Sequence, residues 1–323
     1  MTKTLTQRKP WVDALRAIAI IFVVMGHQAP WWDSFFTYTT PIKIPLFFAL
    51  SGYLFNSKGG DCKEYFLNLL RKLVFPYFCL VTIPALIYAL FSGIDHLWNA
   101  WYNMISGGSY WFMTCLIVAE TIHFFIRKYC HSIWLISLVC LLCALLGLWF
   151  SAHGILNFGT VNTALICQVY LLLGLLIRKY DEVLGHMKMP IVVLMLVLYL
   201  GLCYVAKFLF NSTEFNCHRN VYYCLPYCWL LILIGCVSLF ILAKKITSFP
   251  RWLSYIGQNT MIIYLWAGHA MLLFVALRKI GVVIPEGSIL MASIETLWAC
   301  FACLCAASVI NRYAPIIVGK KIK

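Results

Sequence analysis

The first apolar stretch of the chain, WVDALRAIAIIFVVMGH, carries three side chains that a purely structural membrane helix does not need: Asp13, Arg16 and His27. An α-helix turns about 100° per residue, which sets Arg16 and His27 within about 20° of each other, and Asp13 and His27 within about 40°. All three share one face. The rise of about 1.5 Å per residue separates Arg16 from His27 by about 16.5 Å, so they cannot touch, whereas Asp13 and Arg16 at i,i+3 can pair. The helix thus offers an ion pair towards one end and an isolated imidazole towards the other. Histidine suits proton transfer near neutrality, which makes His27 a candidate general base; an imidazole satisfied by a neighbouring carbonyl fits the spacing equally well.

Two acids sit deep in later apolar stretches. Glu120 lies in YWFMTCLIVAETIHFFIRK with His123 at i+3 as an available partner, and Glu295 has no partner that the sequence reveals. A charge at mid-span costs about 2.5–3.5 kcal/mol on insertion scales, so such groups face a protein interior or a water-filled cavity. Other segments bring further candidates. In TPIKIPLFFALSGYLFNS, the small residues Ser51 and Gly52 allow either a close helix approach or room for a ligand chain. In EYFLNLLRKLVFPYF, the cations Arg71 and Lys72 either snorkel to the membrane surface or grip a phosphorylated ligand. Trp111 and Phe112 open their span beside Tyr110, as an interfacial aromatic belt or as a wall of a site.

These residues need a scaffold, and composition says which kind. The chain has 323 residues, 63% hydrophobic and 11% charged, which excludes a soluble enzyme. Apolar stretches near the length that crosses a bilayer core fall at 12–30, 40–56, 73–92, 110–126, 133–150, 159–177, 190–210, 221–243, 255–276 and 289–310. The fold class expected is therefore all-α: a polytopic membrane protein of about ten helices in one bundle, a single domain over 1–323. The formal charge of +14 follows topology rather than a nucleic-acid face. With the N-terminus inside, only Lys43, Lys207, Arg219, Arg278 and Lys279 of the 25 basic residues fall to the outer side, Arg16 lies inside a span, and Lys3, Arg8, Lys58, Lys321, Lys323 and the rest lie inside. The positive-inside rule then places both termini in the cytoplasm. Asp13 and Arg16 interrupt any signal-peptide core, so the first span is read as retained.

The 15 cysteines show no metal-finger spacing and mostly sit in apolar runs as small hydrophobes; no metal is expected. Cys217 and Cys224 share an outer loop in which an oxidising compartment permits a disulfide. Neither a repeat of 20–50 residues nor an inverted symmetry of broken spans is visible, which shifts weight from carriage to chemistry.

Taken together, these segments resemble acyltransferase family 3, and especially its branch of fucose 4-O-acetylase-like proteins. The resemblance rests on the Asp-x-x-Arg and Arg-x10-His pattern of the first span, on PLFFALSGYLF, on LLRKLVFPY, and on YWFMTCL and IGQNTMIIYLW as supporting matches. It implies an enzyme that transfers an acyl group, commonly acetyl from acetyl-CoA, to a hydroxyl of a sugar or glycan. It further implies that His27 is the essential histidine, that Arg16 belongs to the active face, and that Arg71 and Lys72 help bind the donor. Where many members place a His three residues after the ninth-span Tyr, this chain has Ala267 with His269 as the nearest His, so the resemblance assigns no role to His269.

The sequence reading is thus a multi-pass acyltransferase of the inner (plasma) membrane. His27, Asp13, Arg16 and Glu120 are its catalytic set; Arg71, Lys72, Ser51, Gly52, Trp111 and Phe112 are its acyl-CoA-binding set. Acetyl-CoA is a substrate rather than a permanently bound cofactor. A carbohydrate or glycan acceptor and membrane lipid are the other partners, no nucleic acid is expected, and homo-oligomerisation stays open. The alternative is a proton-coupled carrier of a small solute or lipid-linked sugar, with His27, Glu120 and Glu295 as relay groups.

Overall fold

The computed structural model describes residues 9–29, 31–55, 61–210, 215–285 and 287–320. Pro30, where the first predicted span ends, and Lys3, Arg8, Lys58, Lys321 and Lys323 of the inside basic set lie outside them. Every regular element among the described residues is a helix. The first part of the chain forms α1 (Pro10–Gln28), α2 (Asp33–Lys43), α3 (Pro45–Leu54), α4 (Cys62–Leu69), α5 (Phe75–Ser92), α6 (Asp95–Ser106) and α7 (Trp111–Tyr129). The middle forms α8 (Ile133–Ala152), α9 (Val161–Ile166), α10 (Gln168–Lys179), α11 (Asp181–Gly185) and α12 (Met189–Leu209). The remainder forms α13 (Leu225–Lys245), α14 (Arg251–Gln258), α15 (Thr260–Ala270), α16 (Leu272–Lys279) and α17 (Ile289–Tyr313). Helices α1, α3, α5, α12 and α13 all have proline in their first turn, where its missing N–H would lack an intrahelical partner anyway.

Eight helical stretches are long and apolar enough to cross a membrane, and the pair Phe158–Ile166 and Gln168–Lys179, bent by 44°, makes a ninth if it is one span. The protein is a multi-pass membrane protein. The stretch predicted at 40–56 is not a regular span. Its residues 40–54 fall in two short helices, α2 and α3, of 11 and 10 residues that meet at Ile44, and Asn56 lies outside the described residues. Pro41 and Pro45 donate no backbone hydrogen bond and crowd the preceding turn, which explains why this apolar run does not continue as one helix. The count of ten regular spans is therefore not reached among the described residues.

Helix α1 is the centre of the bundle. It packs against α14 and α17 most extensively and also meets α2, α3, α13 and α15. Its buried side chains join those of α3, α7, α10, α13, α15 and α17 in one apolar core. By contrast, α8 and α12 turn large apolar side chains outward; Trp134 is 82% and Leu194 65% exposed, as lipid-facing residues should be. Helices α3 and α10 approach so closely that their backbones meet. A methyl group on Gly174 would overlap the Ala49 carbonyl, and one on Gly52 would overlap that of Leu171. Small residues let the two backbones touch, so Gly52 is a packing residue.

Overpacking a well-filled contact costs about 1–3 kcal/mol. Gly174→Val and Gly52→Val should each lower the midpoint of thermal unfolding in detergent by several degrees, while Gly201→Ala, where a Cβ would meet nothing within 4 Å, should not lower it. Unchanged midpoints in both valine variants would contradict this packing.

Candidate active site

Between α1, α3, α4, α7, α14 and α15 lies a cavity of about 710 Å³, within the range of about 300–1,000 Å³ typical of small-molecule sites. It opens at the end of the bundle that carries the N-terminus of α1. Its mouth is charged by Glu64, Lys72 and Lys320; Arg16, Ser51 and Glu120 line its middle; Phe47, Phe112 and Tyr264 line its far end. This gradient follows from chain direction. Helix α1 runs from the mouth inward while α3 and α7 run the opposite way, so Arg16 of α1 meets residues late in α3 and α7.

Glu120 anchors the middle. The Ser51 hydroxyl donates a hydrogen bond to its carboxylate, which also lies in the field of Arg16 and Lys72. The sequence offered His123 as its partner, and the structure corrects this. His123 is fully buried with Nδ1 3.2 Å from Gln168 Oε1, and the Gln168 amide donates in turn to the carbonyls of Ala119 (3.0 Å) and Ala164 (3.1 Å). That network ties α7 to α9 and α10. Glu295, for which the sequence showed no partner, forms an ion pair with Arg278 at 3.5 Å and does not line the cavity.

Lys72 reaches the cavity through a local distortion. Residues Leu70–Val74 form a single π-helical turn between α4 and α5, a deviation that recurs at functional sites because it re-aims the side chains it carries. Both Arg71 and Lys72 are exposed, but the turn presents only Lys72 to the cavity; Arg71 is not among the lining residues. The next turns follow the LVFPY motif. The Tyr77 hydroxyl lies 3.1 Å from Thr114 Oγ1 and 3.3 Å from the carbonyls of Met104 and Tyr110, which fixes α5 to the start of α7.

At the far end two motifs meet. Phe112 donates its backbone N–H to the Tyr264 hydroxyl at 3.3 Å, and its ring packs against Phe47, Phe48 and Tyr264 at centroid distances of 5.3–5.6 Å. Trp111 points elsewhere and stacks on His218 at 4.9 Å. Partial burial and then the adjacent Arg219 push the His218 pKa below its ordinary value, so that ring is neutral at neutral pH.

The remaining predicted residues are distributed around this cavity. Asp13 is buried, and α14 approaches so closely that a side chain at Gly257 would overlap the Asp13 carbonyl. His27 is exposed near the end of α1 and does not line the cavity; from Ile20, the last α1 residue that does, it is about 10.5 Å further along the axis. His269 lies 3.4 Å from the Tyr88 hydroxyl, also outside the lining. Cys217 and Cys224 are both free thiols, so the disulfide permitted by their positions is not formed. No group of His, Cys, Asp or Glu able to hold a metal occurs among the described residues.

Sequence reasoning missed several neighbours. Lys43 was counted only as an outer basic residue, yet its ammonium sits over the Phe36 ring at 4.5 Å and against Gly26, next to His27, and its charge is felt there. Lys320 and Glu64 at the mouth carried no signal beyond their charge. Gln258 and Asn259 lay inside the quoted IGQNT motif and were not singled out.

A family model described as an acyltransferase domain matches residues 9–312, which takes in all of these cavity residues except Val318 and Lys320. No curated protein and no solved structure matches the chain. A cavity with a cationic mouth and a mid-membrane carboxylate, built almost wholly within a matched stretch that spans most of the sequence, leads to one assignment: the chain belongs to the membrane acyltransferase family.

Proposed function

We propose that the protein is a membrane O-acetyltransferase that takes acetyl from acetyl-CoA and delivers it to a hydroxyl of a sugar or glycan, in the manner of the fucose 4-O-acetylase-like branch. The observation that carries the reading is the graded cavity, cationic at its mouth and aromatic at its far end. Phosphates of the donor are held best by cations at the mouth, and a thioester by apolar walls further in. In this reading Lys72 and Arg16 serve the phosphates, and Ser51 and Glu120 flank the donor's path.

His27 is the base in this proposal. It takes the proton from the attacking hydroxyl as the oxygen bonds to the thioester carbonyl, and the thiolate of coenzyme A leaves; general-base catalysis typically contributes 10²–10⁴-fold. The gap of about 10.5 Å between the last cavity residue of α1 and His27 leaves two routes. Either the donor's arm passes the Phe47, Phe112 and Tyr264 rings, or the acetyl group moves first onto His27 and then to the acceptor. Glu120 is the second candidate base, because it already lies in the cavity. The carrier alternative loses two of its relay groups' freedom, since Glu295 is paired with Arg278 and Glu120 is held by Ser51.

We further infer that residues 33–54 make a tenth, broken crossing and that both termini face the cytoplasm. Single cysteines placed near Asp61 and near Arg251, in a background freed of reactive thiols, should then be labelled only from the inner side; labelling of either from outside would overturn the orientation.

Labelled acetyl-CoA, purified protein and a panel of glycans test the reaction itself. His27→Ala and His27→Gln should both abolish transfer while coenzyme A binding survives, because His27 lies about 10.5 Å beyond the last cavity residue of α1. Near wild-type transfer by the Gln variant removes His27 as base and leaves Glu120. Lys72 lines the cavity and Arg71 does not, so Lys72→Ala should raise KM for acetyl-CoA about tenfold, and Arg71→Ala less. The opposite order would show that Arg71, not Lys72, meets the donor.

A further inference from the structure

In the last turn of α1 a buried glycine, Gly26, precedes the exposed His27. A Cβ on Gly26 would lie 3.2 Å from the Lys43 Nζ and 3.4 Å from the Phe36 ring, so the missing side chain is what lets an ammonium from α2 lie against the backbone of α1. The same ammonium stands over the Phe36 ring, 4.5 Å from its centroid. A lysine that serves only as a membrane-surface anchor carries its charge out to water. This one turns it onto the neighbouring helix, against a buried residue.

Position explains how the charge is kept there. Lys43 is the last residue of α2 and Gly26 is two residues from the end of α1, so the ammonium lies near two helix C-termini, where the partial negative charge of the last carbonyls favours a cation. The loop before α13 ties this place to the cavity. Cys217 feels the Lys43 charge, its neighbour His218 stacks on Trp111, and Phe112, next in the chain, lines the far end of the cavity. Lys43 and His27 thus stand together at the end of the bundle opposite the mouth, linked through that loop to the cavity's aromatic end.

We propose that Lys43 is a catalytic residue of the transfer, its ammonium donating a hydrogen bond to the thioester carbonyl oxygen while His27 accepts the proton of the attacking hydroxyl. The proposal rests on the acetyl-transfer reading with His27 as base. As the acceptor oxygen bonds to the carbonyl carbon, an electron pair moves onto the carbonyl oxygen and the hydroxyl proton passes to His27. On collapse the carbonyl re-forms, the carbon–sulfur bond breaks, and its electron pair leaves on the coenzyme A sulfur. Lys43 keeps its proton throughout and holds the negative oxygen; removing one such donor costs about 10²–10³-fold in kcat.

The experiment is steady-state release of the coenzyme A thiol from acetyl-CoA by the full chain in detergent, with the glycan panel as acceptors, alongside calorimetric titration with coenzyme A. Lys43→Met keeps an unbranched stem over Phe36 and removes the charge; kcat should fall about 10²-fold or more, while KM for acetyl-CoA and the affinity for coenzyme A stay unchanged. Lys43→Arg restores a cation and should recover at least about tenfold of that loss. Gly26→Ala adds a methyl group where the ammonium lies, and should lower kcat about tenfold by displacing the charge without removing it. The Met variant takes a charge away from an aromatic ring, so it should unfold no earlier than the wild type and remain informative if the alanine variant is unstable. An undiminished kcat in Lys43→Met, a loss confined to KM, or an Arg variant as slow as the Met variant overturns the role of Lys43 and leaves the acetyl-transfer reading standing. A wild-type protein that releases no thiol overturns both.

Discussion

A carboxylate halfway through an apolar bundle has to be compensated, and the compensation of Glu120 organises the site. Its partners come from separate parts of the sequence: Ser51 by hydrogen bond, Arg16 and Lys72 by charge. None of these can be supplied by α7 itself. Bringing them together requires α3 to lie antiparallel to α1 and the chain between α4 and α5 to bulge towards the cavity. The close contact of Gly52 and Gly174 with opposing carbonyls holds α3 where Ser51 can reach Glu120. Adjacent residues thus divide the labour, Gly52 on the packing side and Ser51 on the cavity side.

Much of this was legible in the sequence because membrane insertion makes polar residues conspicuous. Arg16, Lys72 and Glu120 stood out as charges in apolar runs, and all line the cavity. The helical class was equally plain from the length of those runs. What the sequence could not convey was direction and partnership. Helical spacing offered His123 to Glu120, but the facing Gln168 lies closer to its ring and satisfies its amide on α7 and α9 backbone; sequence neighbours cannot reveal a competitor from another helix. Arg71 and Lys72 looked equivalent until the π-helical turn separated them. In the run at 40–56 the hydropathy was right, and the two prolines that divide it were visible but underweighted.

The distance between the cavity and His27 is the feature that any mechanism must answer. On the proposed reading, the donor's phosphates stay at the charged mouth while its acyl group reaches His27, about 10.5 Å beyond the last lining residue of α1, so the donor has to be extended. Aromatic rings line the cavity beyond the Arg16 level, held by the bond from the Phe112 N–H to Tyr264. A ring contact can be displaced by rotation about side-chain bonds at modest cost, whereas the backbone contacts around Gly52, Gly174 and Gly257 cannot yield without moving whole helices. The deformable contacts thus lie at the aromatic end of the cavity, and the rigid ones where α3 crosses α10 and α1 crosses α14. On the far side Lys43 sits against Gly26, one residue from His27, so a thioester carbonyl arriving there would meet a cation beside a base. That pairing suits a reaction in which negative charge develops on the carbonyl oxygen as the hydroxyl gives up its proton.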